Sequence, residues 1–218
     1  MKKGIFITFE GSDGSGKSTH IRLLSVKLRE MGHIVLITRE PGGCPISEKI
    51  RELVLDKNNV EMAPVTEALL YAASRAQHVA EVIKPALERG EIVISDRYLD
   101  SSIAYQGYGR ELGEDLVRAV NSPAIAGVLP DITFFMSVGA EVAQGRIADR
   151  DLDRLEMAGK SFQERVYTAF QMLAEKSNGR IVTIDATAPK TEVHNRILAI
   201  VAQSGILNDR GAVPLKRE

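Results

Sequence analysis

The chain has 218 residues, 44% of them hydrophobic and 26% charged, with a formal net charge of -1 at pH 7. That composition fits one globular domain with a sizeable core, and it excludes a disordered, collagen-like or coiled-coil chain. The near-zero charge argues against a coat for nucleic acid or another polyanion. The single Cys44 excludes an internal disulfide framework and a multi-cysteine zinc site. The N-terminal stretch Met1–Glu10 is too short in its apolar run for a signal peptide. No run approaches the roughly 20 apolar residues of a membrane helix. The expectation is a soluble cytoplasmic protein with neither nucleic acid nor membrane as partner.

Short, β-branched, nearly continuous apolar runs alternate with longer amphipathic stretches. In chain order the runs are Ile5–Phe9, Ile34–Thr38, Ile92–Ser95, Ile132–Val138 and Ile181–Ile184. They read as strands buried on both faces. After the first run, Ile21, Leu24, Leu28 and Met31 recur at helical spacing until Gly32 stops them. Ile46–Leu55 forms a second helical pattern. Pro64–Glu88 reads as one long helix with Leu69, Ala72, Ala73, Ala76, Val79, Ala80 and Ile83 as its apolar residues and Pro85 near its last turn. Further helices fit Glu114–Ala126, Ala140–Asp149, Ser161–Lys176 and Thr191–Gln203. Strand–helix alternation with right-handed crossovers predicts an α/β fold, a five-stranded parallel sheet with helices on both faces. A single domain is expected over residues 1–205. Residues 206–218 have no helical period and read as a tail.

The residues Gly11-Ser12-Asp13-Gly14-Ser15-Gly16-Lys17-Ser18, followed by Thr19, match the phosphate-loop pattern G-x-x-x-x-G-K-[ST]. They lie between a predicted strand and a predicted helix, the context that pattern requires. Glycines let successive N–H groups turn inward around a phosphate, and the helix N-terminus adds positive potential. Lys17 reaches the β- and γ-phosphates, and the Ser18 hydroxyl can ligate Mg²⁺. Nucleoside triphosphate binding follows. The fate of the phosphate does not, because GTPases, ATPases and small-molecule kinases share the loop.

Three other clusters bear on that fate. Arg39-Glu40-Pro41-Gly42-Gly43 follows the second strand, at the edge where open α/β sheets bind ligands, although Pro-Gly is also plain turn chemistry. Asp96-Arg97-Tyr98 follows the third strand. Asp96 fits a second Mg²⁺ position or a helix N-cap, and Arg97 can fork onto a phosphate. Tyr71 and Arg75, four residues apart, share a helix face. They could stack on and bond a base, or Tyr71 could be core. His78 reads as a packed or surface histidine.

With Ala104-Tyr105-Gln106-Gly107 added, the order and spacing of Phe9–Thr19, Arg39–Gly43, Arg75–His78 and Asp96–Tyr98 resemble thymidylate kinases over about residues 4 to 203. The resemblance implies a nucleoside-monophosphate kinase core, usually dimeric, moving the ATP γ-phosphate to dTMP with Mg²⁺. By motif position, Asp13 would hold the sugar hydroxyl. Arg39 and Arg97 would grip the 5′-phosphate. Arg75 would bond the thymine carbonyl, and Tyr71 would stack where many members carry Phe. Ser101, Ser102 and Gln106 would complete the base pocket, with Tyr105 against the sugar. Some members place a basic residue inside the phosphate loop. This chain has none there and instead carries Arg146, Arg150 and Arg154 at every fourth position. That resembles the bacterial type, with a lid over about residues 146–158 and Arg150 as its catalytic arginine. The interleaved Asp149, Asp151 and Asp153 leave a solvated helix face as the other reading.

Overall fold

Strand β1, Ile5–Glu10, is buried at every position, as expected of an apolar run with no polar alternation. In this computed structural model, which describes residues 4–146 and 152–207, β1 is the middle of a five-stranded sheet of order β2-β3-β1-β4-β5. Its companions are β2 (Val35–Arg39), β3 (Ile92–Asp96), β4 (Ile132–Ser137) and β5 (Ile181–Asp185). Every pairing is parallel. The chain doubles back about β1, with β2 and β3 on one side and β4 and β5 on the other. This is where ligand crevices open in such sheets, beyond the carboxyl ends of the strands.

Alternation along β1 divides the core in two. Ile5, Ile7 and Phe9 pack with Leu24 and Leu28 of α1 (Lys17–Glu30) and with Val193, Ile197 and Val201 of α9 (Lys190–Gln203). Phe6 belongs to the opposite layer, with Phe135 of β4, with Val166 and Phe170 of α8 (Lys160–Lys176) and with Val117 of α6 (Glu114–Ile125). The predicted three-layer α/β fold is therefore present. The helix expected at Ile46–Leu55 is α2 (Pro45–Leu55). The one expected over Ala140–Asp149 is described as α7 (Ala140–Gly145). The helix ends before Arg146, a turn residue, and its expected continuation over 147–149 and the tail from 208 onward lie outside the described residues.

The long helix expected over Pro64–Glu88 is built in three joined parts: α3 (Pro64–His78), a π-helical turn (Val79–Ile83) and α4 (Lys84–Glu88). Pro85 has no N–H for the carbonyl four residues back, and its ring crowds that carbonyl. The widened turn ends just before it. The inward face holds Ala72, Val79 and Ile83 as expected and departs from the expected one elsewhere. Leu69 is 50% exposed and Ala73, Ala76 and Ala80 face solvent, whereas Glu67, Tyr71, Arg75 and His78 are buried. Glu67, Arg75 and His78 turn inward because other elements supply their partners there, Arg110 and Arg154 for Glu67 and Glu40 for both Arg75 and His78, which removes the cost of burying them alone.

Beyond β3 the chain turns into the short α5 (Leu99–Ser102) and a second π-helical stretch, Ile103–Gly109. Sequence periodicity gives no sign of either. Together they carry Ser101, Ser102, Tyr105 and Gln106 to the wall of one cavity.

Candidate active site

The loop between β1 and α1 leaves the sheet through Gly11, whose φ is 130° and whose added Cβ would stand 2.7 Å from the Met136 carbonyl oxygen. Only glycine passes there. Gly16, in left-handed conformation, then opens α1. The Lys17 ammonium reaches back across the loop and donates to the carbonyls of Gly11 at 3.0 Å and Ser12 at 2.9 Å. An ammonium has three N–H donors, so one remains for a phosphate oxygen. Burial lowers its pKa, and the nearby Arg97 adds to that. The buried hydroxyls of Ser12 and Ser15 have no hydrogen-bond partner among the described residues.

Arg97 lies directly beyond this loop. It adopts a left-handed φ of 73°, a costly choice for a side-chain-bearing residue that marks a functional position. Its guanidinium donates to the Gly11 carbonyl at 2.9 Å, the Ser101 hydroxyl at 3.2 Å and the Asp13 carboxylate at 3.0 Å. It also lies over the Tyr105 ring, 5.1 Å from the centroid. Burial opposes its charge, but Tyr105, Asp13, Asp96 and Glu10 raise its pKa well above the ordinary value. The bend is held from below by Glu10, which accepts from the Tyr98 N–H at 2.8 Å and from the Ser101 hydroxyl. Burial, reinforced by Asp100, lifts the Glu10 carboxyl to about 8.

A cavity of about 430 Å³ opens from this point. Ser12, Asp13 and Arg97 border it, and Tyr71, Arg75, Ser101, Ser102, Tyr105 and Gln106 line it. Arg75 is 1% exposed. It donates through Nε to Glu40 at 2.7 Å, and through Nη1 to Ser102 at 3.0 Å and to Asn121. Glu40 in turn meets His78 Nδ1 at 3.0 Å, while His78 Nε2 lies 2.6 Å from the Thr38 hydroxyl. A Cβ on Gly43, whose φ is 87°, would come within 2.5 Å of that imidazole. The Arg-Glu-Pro-Gly-Gly turn thus orients Arg75 through Glu40. Burial, with Glu67 nearby, pushes the Tyr71 hydroxyl pKa upward, and burial lifts that of Tyr105 to about 12.

Two predicted groups are placed differently. Arg39 is turned outward. Its side chain is 53% exposed and it holds both oxygens of Glu48 at 2.9 Å, while Glu48 also accepts from the Gly43 N–H. It lines a neighbouring hollow with Ser18, Cys44 and Asp96 instead of the main cavity. Arg51, absent from the sequence expectations, lines the cavity and donates to the Pro41 carbonyl at 2.8 Å. Burial and the adjacent Arg39 cation both lower its pKa. Among the supposed lid arginines, Arg146 spans the carbonyls of Gly14 and Ala186, each at 3.2 Å. Arg154 is 8% exposed, bonded to the Val54 carbonyl at 3.0 Å and ion-paired with Glu67 at 2.7 Å. It is an anchor, not a solvated cation. Arg150 lies outside the described residues.

Ser18 donates to Asp96 Oδ2 at 2.9 Å. A hydroxyl and a carboxylate side by side are the hard oxygen donors that suit Mg²⁺. Among the described residues there is no cluster of three or more His, Cys, Asp or Glu side chains that could hold a metal ion. No described helix is long and apolar enough to cross a membrane.

Sequence reasoning missed Glu10, Glu40, Arg51, Glu67 and Asn121. One had a readable signal: Glu67 lies four residues before Tyr71 and eight before Arg75, on the same helix face.

A family model described as thymidylate kinase matches residues 9–197. A thymidylate kinase of Exiguobacterium sp. is 50% identical over 184 residues, covering 84% of this chain and 87% of the relative. One of Halothermothrix orenii is 50% identical over 199 residues, covering 89% and 95%. The crystal structure of thymidylate kinase from Ehrlichia chaffeensis superimposes with a TM-score of 0.74 at 34% identity, over 91% of this chain and 99% of that one. With half of the aligned positions shared with such relatives, a family model matched over residues 9–197, and the phosphate loop, Arg97 and Arg75 gathered around one cavity, the chain belongs to the thymidylate kinase family.

Proposed function

We propose that dTMP lies in the cavity with its base toward Tyr71, Arg75 and Gln106 and its phosphate toward Arg97 and the loop Gly11–Thr19. The reaction is that of the family: the γ-phosphate of ATP passes to dTMP, giving dTDP and ADP. The observation that carries the placement is the cavity itself, which runs from Ser12, Asp13 and Arg97 to Arg75 and Gln106 without a break. ATP phosphates occupy the loop at the N-terminus of α1.

The acceptor is a phosphate oxygen, anionic at neutral pH, so no general base is required. The obstacle is repulsion between two polyanions, which converging cations and alignment overcome. Lys17 and Arg97 supply the charge beside the transferring group. Arg51 adds positive potential on the cavity wall, where an anion would offset the burial and the neighbouring Arg39 cation that lower its pKa. Asp13, now paired with Arg97, is placed to take the sugar hydroxyl when a phosphate engages that arginine. Ser101 and Ser102 hold the pocket wall, and Tyr105 packs against the sugar. Ser18 and Asp96 would hold Mg²⁺, which when bound neutralises charge on the bridging phosphates.

The outward strip Val65, Leu69, Ala73, Ala76 and Ala80 on α3 and the turn after it supports a homodimer, for an apolar stripe of that kind calls for cover. Chromatographic separation of nucleotides after incubation with ATP, Mg²⁺ and dTMP tests the reaction. Equimolar dTDP and ADP are expected. ADP formed without dTDP would contradict it.

A further inference from the structure

Glu67 is fully buried, at 0% exposure, on the α3 face that also carries Tyr71 and Arg75. Its two oxygens divide their closest partners. Oε2 takes the shorter arginine contacts, Arg154 Nη2 at 2.7 Å and Arg110 at 3.1 Å from Nη2 and 3.2 Å from Nε. Oε1 takes the side-chain amide of Gln106, whose Nε2 donates at 2.8 Å, and a longer contact from Arg110 Nε at 3.4 Å. Gln106 is itself 1% exposed and lines the cavity.

A carboxylate accepts hydrogen bonds and cannot donate them. The Gln106 amide must therefore turn its NH₂ toward Glu67 and its carbonyl the other way. No described residue donates to that carbonyl. The cavity wall thus presents an acceptor at Gln106 near the donor edge of Arg75. Thymine offers a matching pattern, an N3–H donor next to the O4 acceptor. Cytosine offers the reverse, an unprotonated N3 next to an amino group, and would leave both wall groups opposed or unpaired.

We propose that Glu67 is the positioning residue that makes this pocket select a pyrimidine carrying an N3–H, by fixing which way the Gln106 amide faces. The proposal rests on the reading that the base lies at the Arg75 end of the cavity. It adds a residue that touches no substrate and works through its neighbour.

Glu67→Gln gives a directional test. Arg110 and Arg154 are donors only, so they claim the oxygen of the substituted amide at the old Oε2 position. Its NH₂ then takes the old Oε1 position, giving up the 3.4 Å contact from Arg110 Nε and facing Gln106, which must turn its carbonyl to meet it and present NH₂ to the cavity. The wall pattern is reversed with no change of shape. The measurement is kcat/KM for dTMP and for dCMP in the intact enzyme, with ATP saturating. The dTMP/dCMP ratio is expected to fall at least tenfold, the scale of one mispaired buried hydrogen bond. In a Gln106→Ala background the same substitution is expected to leave the ratio within about threefold, since the group it acts through is gone.

Glu67→Asp is measured in parallel. It keeps an anion for Arg110 and Arg154 but withdraws it from Gln106 by one methylene, so it decides the question if Glu67→Gln does not fold. A ratio within threefold of wild type in a folded Glu67 variant would overturn the proposal, as would an equal fall in the Gln106→Ala background. Absence of dTMP activity in the wild type would instead strike at the placement of the base.

Discussion

Arg75 is a large, fully buried side chain, 1% exposed, and replacing it with Met should have two separable effects. The first is on stability. The side chains of Arg75 and Glu40 are 1% and 3% exposed and meet at 2.7 Å. Removing the guanidinium leaves a buried carboxylate with His78 as its remaining side-chain contact. Breaking a buried pair in this way costs about 3–5 kcal/mol. For a domain near 200 residues, each kcal/mol lowers Tm by about 2–4 °C, which gives a fall of roughly 6–20 °C. The second effect is on substrate. Loss of a charged donor to the base costs about 1.5–3 kcal/mol, or about ten- to a hundredfold in KM for dTMP. The ATP loop is built without Arg75, so KM for ATP should not move. Thermal unfolding and steady-state kinetics with each substrate varied, run well below the variant's transition, measure both. A Tm drop under about 2 °C, or equal rises in the two KM values, would refute the reasoning.

Lys17→Ala should abolish phosphoryl transfer while cooperative unfolding survives, because the side chain is spent on loop carbonyls and phosphate; residual activity above a hundredth of wild type would count against it. Tyr105→Ala should narrow the kcat/KM gap between dTMP and its ribose counterpart, since the ring that leaves no room at the 2′ carbon is gone; an unmoved ratio assigns that exclusion elsewhere. Glu10 supplies a pH signature. Its folded value of about 8 lies above the ordinary 4.5, so the folded protein keeps a proton that the unfolded chain has lost. The stability this contributes is whole below about 4.5 and is lost as pH rises to about 8. The Tm of Glu10→Gln relative to wild type should therefore climb across that window and level off above it; a pH-independent difference would contradict the burial argument.

The sheet was legible because its strands are continuous apolar runs. The phosphate loop was legible because its spacing admits few other chemistries. What the sequence hid depended on which face of a helix turns inward. Ala73 and Ala76 of α3 look like core and are exposed, yet Glu67, Arg75 and His78 occupy the core side beside Ala72, for a polar network compensates itself only in three dimensions. Glu40 and Asn121 reach Arg75 from 35 and 46 positions away in the chain, a distance no local pattern reports. The π-helical stretch Ile103–Gly109 breaks the 3.6-residue period on which helix reading depends. Arg39 was read from its motif and Arg154 from its spacing, neither of which reports the carboxylates that meet them. Glu48 and Glu67, each supplied by a different element, decided where those two arginines went.

The most direct test is ADP release measured with dTMP, dCMP, dGMP and thymidine as separate acceptors, against a control with none. The cavity, with Arg97 at its phosphate end and Arg75 at its base end, predicts that dTMP has the highest kcat/KM. Thymidine, lacking the phosphate, should be near background. Release that is unchanged without an acceptor, or that is fastest with a purine nucleotide, would contradict a dTMP site between the phosphate loop and α3.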